Sequence, residues 1–85
     1  MKELRILGIN VTDRIKESGA TQKILSEFLH CIKTRLGFHE LTQDVCSRNA
    51  FIILQLTGQA EEWDKLEDRL KQVTGLVVKS MNFNV

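Results

Sequence analysis

Residues 49–58 read NAFIILQLTG. Every second side chain of a strand points to the same side, so Phe51 and Ile53 face one way while Ile52, Leu54 and Leu56 face the other. Both faces are apolar. A small antiparallel sheet usually keeps one face in water, and its strands then alternate apolar with polar residues. This strand does not alternate, so its second face also needs cover. A chain of 85 residues buries only about 60–65% of the surface that its unfolded form exposes. It has little sequence left with which to cover a sheet twice, and a partner subunit is the economical cover.

Working outward, residues 4–11 (LRILGINV) read as a first strand. Leu7, Ile9 and Val11 share one face, while Leu4 and Ile6 share the other with Gly8 and Asn10. Thr12-Asp13-Arg14 stops this strand, and Asp13 or Ser18 can cap a following helix by accepting a bond from a free backbone N–H. Ile24, Leu25, Phe28 and Leu29 then form a helical stripe opposite Gln22, Lys23, Ser26 and Glu27, with Gly19 predicting a late start. Two endings fit this helix. Ile32 and Leu36 continue its period with Gly37 as a C-terminal cap; equally, Ile32, Thr34 and Leu36 alternate with Lys33 and Arg35 as a strand would.

The remainder is clearer. Residues 41–48 (LTQDVCSR) are a polar hairpin loop leading into a strand over 49–57, which Gly58 ends. Residues 60–73 predict a helix with Trp63, Leu66, Leu70 and Val73 on its stripe, acids in its first turn and Lys71 in its last. Thr74-Gly75 closes it. Residues 76–85 form the last strand, with Val77, Met81, Phe83 and Val85 on one face and Lys79 in their row. If residues 30–40 are a strand, the order is β-α-β-β-α-β. That is an α+β, ferredoxin-like βαββαβ sandwich, with two helices on one face of a four-stranded antiparallel sheet. Its first and third strands are central, and those are the two strands read as apolar on both sides.

Twelve basic and eleven acidic residues give a net charge of +1, and no three basic residues are consecutive. This is no footprint for nucleic acid, which wants a basic stripe. No apolar run approaches the ~20 residues of a membrane span, and residues 6–11 are too short for the apolar core of a signal peptide. The expectation is one cytoplasmic domain over residues 1–85, with Cys31 and Cys46 reduced.

His39 and Cys46, with Asp44 as a third group, have the character of metal ligands across the hairpin. A surface histidine and a loop thiol explain the same residues. Nothing marks the orienting group or oxyanion site that a Cys–His nucleophile requires, so no catalytic residue is assigned and no enzyme is expected. The turn carrying Asp13, Arg14, Ser18 and Gly19 precedes the free N–H groups of a helix and can hold an anion; simple capping is the alternative. No particular cofactor is indicated.

LGINVTDR (7–14), TRLGFHE (34–40), Cys46-Ser47, AFIILQLTG (50–58) and LKQVTGLVVKSM (70–81) occur in an order and spacing that resemble small ACT-like proteins, known as regulators of the iron-only hydrogenase system. The resemblance implies a ferredoxin-like fold similar to the C-terminal domain of nickel-responsive repressors. It also implies that Arg35-Leu36-Gly37 belongs to the second strand, so the first helix ends near Leu29. Thr42, Asp44 and Ala50 stand where the repressors' nickel ligands would fall, which disfavours nickel sensing there, and the 85 residues contain no ribbon-helix-helix segment. The resulting expectation is a non-enzymatic, ligand-sensing regulatory module. It works as a homodimer or higher homo-oligomer through the helix-free sheet face, with a small effector near residues 13–19. The competing expectations are a metal- or redox-responsive protein using His39 and Cys46, and an assembly factor with no ligand.

Overall fold

The computed structural model describes residues 2–12, 14–38 and 50–85; for residues 14–18 and 38 it describes the backbone alone. The elements are β1 (Glu3–Val11), α1 (Arg14–Glu27), β2 (Ile32–Phe38), β3 (Ala50–Leu56), α2 (Ala60–Lys71) and β4 (Leu76–Asn84). All pairings are antiparallel and the strand order is β2-β3-β1-β4. This is the ferredoxin-like topology, with β1 and β3 at the centre.

Alternation along these central strands sends Leu7, Ile9 and Val11 of β1, and Ile52, Leu54 and Leu56 of β3, into one core. The helices reach that core through Ile24, Leu25 and Phe28 of the α1 segment and Trp63, Leu66 and Leu70 of α2. Trp63 also satisfies its indole by donating from Nε1 to the Thr57 carbonyl at 2.9 Å. Glu61 and Glu62 begin α2, and Arg69 and Lys71 end it, each sign matching the helix dipole. Gly75, at φ +89°, supplies the left-handed residue that turns the chain from α2 into β4. Its carbonyl then accepts bonds from both the amide and the hydroxyl of Thr12, at 2.9 and 2.8 Å. No described helix is long and apolar enough to cross a membrane.

Three boundaries correct the sequence reading. First, α1 begins at Arg14, so Gly19 lies inside the helix instead of delaying its start. A helical glycine costs about 1 kcal/mol, and burial of Thr21, Ile24 and Leu25 one turn later outweighs it. Second, residues 29–31 form a single 3₁₀ turn, and β2 starts at Ile32, not at residue 30. Phe28 leaves the helical conformation (φ −116°, ψ 20°). The amides of Phe28 and Cys31 then bond three residues back, to the carbonyls of Leu25 and Phe28. This tighter winding puts Cys31 in the core and Leu29 in solvent, so Leu29 is no member of the helix stripe. Third, α2 ends at Lys71 and Val73 is only partly buried. The loop expected over residues 41–48 lies outside the described residues.

Leu54 of β3 is fully buried in the core. Leu54→Ala is expected to lower the unfolding free energy by about 2–5 kcal/mol, measured by urea denaturation at fixed protein concentration.

Candidate functional site

Of the residues expected to form an anion-holding turn, Arg14, Ser18 and Gly19 belong to α1 instead. Ser18 sits more than one turn into the helix, where the amide nitrogens are committed to intrahelical bonds, so it cannot cap the N-terminus. Gly19 is exposed, and a Cβ built on it would meet nothing within 4 Å. Asp13 and the metal candidates His39, Asp44 and Cys46 lie outside the described residues, as do the side chains of Arg14 and Ser18. Among the described residues, no three His, Cys, Asp or Glu side chains gather as metal ligands would.

Cys31 behaves as a small core residue. Its Sγ–H donates to the Phe28 carbonyl at 3.3 Å. Burial pushes its thiol pKa up, with the negative charge of Glu62 adding to the effect. A protonated, buried thiol is a poor nucleophile and a poor metal ligand.

Polar side chains on the helix side of the sheet find partners. Arg5 projects from β1 beneath α2, where its guanidinium donates to Asn82 Oδ1 and Asp64 Oδ1, both at 2.7 Å, and to Glu67 Oε1 at 3.3 Å. The same group lies 5.5 Å from the Trp63 ring centroid. Arg69 joins the two helices through Glu27 at 2.7 Å, and His30 faces Glu62 at 3.4 Å while stacking on Phe28. The sequence pattern offered no sign of the Arg5 cluster, because its members come from three separate elements.

The helix-free side is different. Register places Leu36, Ile53, Gly8 and Lys79 in one cross-sheet row and Phe51, Asn10 and Val77 in the next, with Gln55, Ile6 and Met81 on the other side. Leu36, Phe51, Ile53, Val77, Met81, Phe83 and Val85 are 39–68% exposed. The one acid in the described strands, Glu3, alternates onto the opposite face with Arg5. At the centre, the missing side chain of Gly8 leaves a depression of about 340 Å³ between Asn10, Phe51, Ile53, Val77 and Lys79. Asn10 lines this depression, and its Oδ1 is buried without a hydrogen-bond partner. A glycine in the interior of a central strand is the sequence signal that could have drawn attention to this place.

No protein-family model and no curated protein matches the chain. Among solved structures, it is similar to the uncharacterized protein TM1266 from Thermotoga maritima, at 26% identity and a TM-score of 0.82, over 98% of this chain and 100% of that one. It shares its fold with CPII from Thiomonas intermedia K12, bound to ADP, AMP and acetate (13% identity, TM-score 0.58, 99% and 89% covered). The fold also matches a dimeric ferredoxin-like protein from an uncultured marine organism (10% identity, TM-score 0.50, 98% and 94% covered).

The carboxyls of Glu62, through the hydrogen bond with His30 and then Lys65, and of Glu27, through Arg69, are held below their ordinary value of 4.5. A lowered folded-state pKa adds stability that is complete above about pH 4.5 and is lost as pH falls through the folded value. Thermal unfolding between pH 3 and 6 should therefore show a stability loss below about pH 4.5, and Glu27→Gln/Glu62→Gln should flatten part of that slope.

Proposed function

We propose that the protein is a cytoplasmic, non-catalytic, ACT-like regulatory module that forms a homodimer through its helix-free sheet face and senses a small ligand held between the subunits. The apolar sheet face carries this reading. Its seven exposed side chains together present on the order of 600 Å², taking ~150–250 Å² for a whole aromatic side chain as the scale. That is at the top of the ~300–600 Å² found for the largest patches on monomers and close to the ~800 Å² each partner gives a standard interface. A second copy of the chain suits this surface. A two-fold interface is self-complementary, and the described strand residues of this face include no acid to attract a basic partner.

The ordered resemblance to ACT-like hydrogenase-system regulators supports the regulatory part of the reading. CPII with its bound nucleotides and acetate, and the dimeric marine protein, show that this fold accommodates both small ligands and self-association. The buried, protonated Cys31 supports a non-catalytic role. The mechanism is differential affinity: a ligand bound better by the dimer than by the free subunit shifts the population toward the dimer.

Light scattering coupled to size exclusion should give a mass near twice 9.8 kDa at micromolar concentration. Ile53→Asp, on the exposed face of β3, should convert the protein to a folded monomer with unchanged helical circular dichroism. A wild-type monomer would refute the reading.

A further inference from the structure

Gly8 is in the middle of a central strand, where a glycine weakens the strand and has no side chain to pack. Nothing in its own subunit requires it. Its φ is not positive, and a Cβ there would meet only the Lys79 carbonyl oxygen, at an ordinary 4.0 Å. What glycine does is hold open the depression of about 340 Å³, whose walls include the apolar side chains of Phe51, Ile53 and Val77. The same face also carries a projection. Phe83 is 47% exposed and is not one of the walls of the depression. It stands two rows from Gly8, because register pairs Gly8 with Lys79, Ile6 with Met81 and Leu4 with Phe83. One face therefore presents a hollow and a bulky apolar side chain, four residues or about 13 Å apart along the strands.

We propose that the Gly8 depression of each subunit is the socket for Phe83 of the second copy, so that Gly8 is the residue that decides self-association. Two sheets packed face to face lie about 10 Å apart with their side chains interdigitated. A side chain as large as phenylalanine can then approach the opposing backbone only where the opposing residue is small. Gly8 is the smallest described strand residue on this face. A two-fold axis makes the insertion reciprocal, which requires knob and socket to share one face, as Phe83 and Gly8 do. That axis passes midway between them, beside the row of Ile6 and Met81. Those two apolar residues then lie next to their own copies. Phe51, the other exposed aromatic, is already a wall of the depression. A few aromatic anchors seated in pockets supply most of the energy of an interface, and two reciprocal anchors suit a patch below the standard ~800 Å² per partner.

This proposal deepens the preceding one and rests on it, since the socket is filled only in the dimer. Sedimentation of the full chain over a dilution series gives the dimer dissociation constant that tests it. Gly8→Val fills the socket with a residue that favours strands. It should raise the constant at least about tenfold while leaving the helical circular dichroism unchanged. Phe83→Ala, which removes the knob, should do the same. Both changes break one contact, so Gly8→Val/Phe83→Ala should dissociate no more readily than either single variant, whereas independent sites would multiply their effects. Leu36→Ala, on the same face at the far edge strand, should change the constant by less than about threefold. Gly8→Ala adds one methyl group where a Cβ has ordinary clearance; it should fold even if Gly8→Val does not, and should weaken the dimer by a smaller factor. A wild-type dimer indifferent to the Gly8 variants or to Phe83→Ala, effects that multiply in the double variant, or a loss with Phe51→Ala in place of Phe83→Ala would overturn the exchange and leave the dimer reading standing. A monomeric wild type would overturn both.

Discussion

Two helices can cover one face of a four-stranded sheet, and the central strands of this sheet are apolar on both. The covered side takes Leu7, Ile9, Val11, Ile52, Leu54 and Leu56 into a single core with the helices. The other side leaves Phe51, Ile53, Val77, Met81 and Phe83 half in water. Single exposed apolar residues are ordinary on a folded protein. A contiguous set, aligned by strand register and without an acid among the described strand residues to break it, is a surface shaped for contact.

The distribution of polar bonds follows the same division. On the helix side, Arg5 is held by Asp64, Glu67 and Asn82 and lies over Trp63, so its charge is matched where its side chain is largely covered. This cluster ties β1, α2 and β4 together and sets how α2 lies on the sheet. Arg69 and Glu27 then couple the helices to each other. On the open side, Asn10 Oδ1 has no partner, and no carboxylate in the described strands faces Lys79. Exposed ion pairs add little stability each. Their value here is orientational, since they fix the helix layer while the sheet face is left clear.

Much of the architecture was legible in the chain. Period-two and period-3.6 patterns located three strands and two helices, the resemblance to ACT-like proteins placed the second strand around Arg35-Leu36-Gly37, and the doubly apolar residues 51–56 fitted a central β3. The errors fell where local pattern and tertiary packing disagree. Gly19 reads as a helix breaker, yet buried Thr21, Ile24 and Leu25 hold the helix through it. Leu29 fits the helical stripe, yet a 3₁₀ turn rotates it outward and seats Cys31 in its stead. The expectation of a turn over residues 13–19 depended on where the helix begins, and Arg14 to Gly19 lie in the opening turns of α1.

Sequence alone determined every element but the second strand, the apolar character of both faces of β1 and β3, and the near-neutral charge, because each follows from residue type and spacing along the chain. Tertiary structure decided which face the helices cover, that Arg5 meets acids from a distant helix, and that Gly8, Asn10 and Lys79 share one depression. These last depend on strand register and helix placement, which bring together residues up to about seventy positions apart and which no local period encodes.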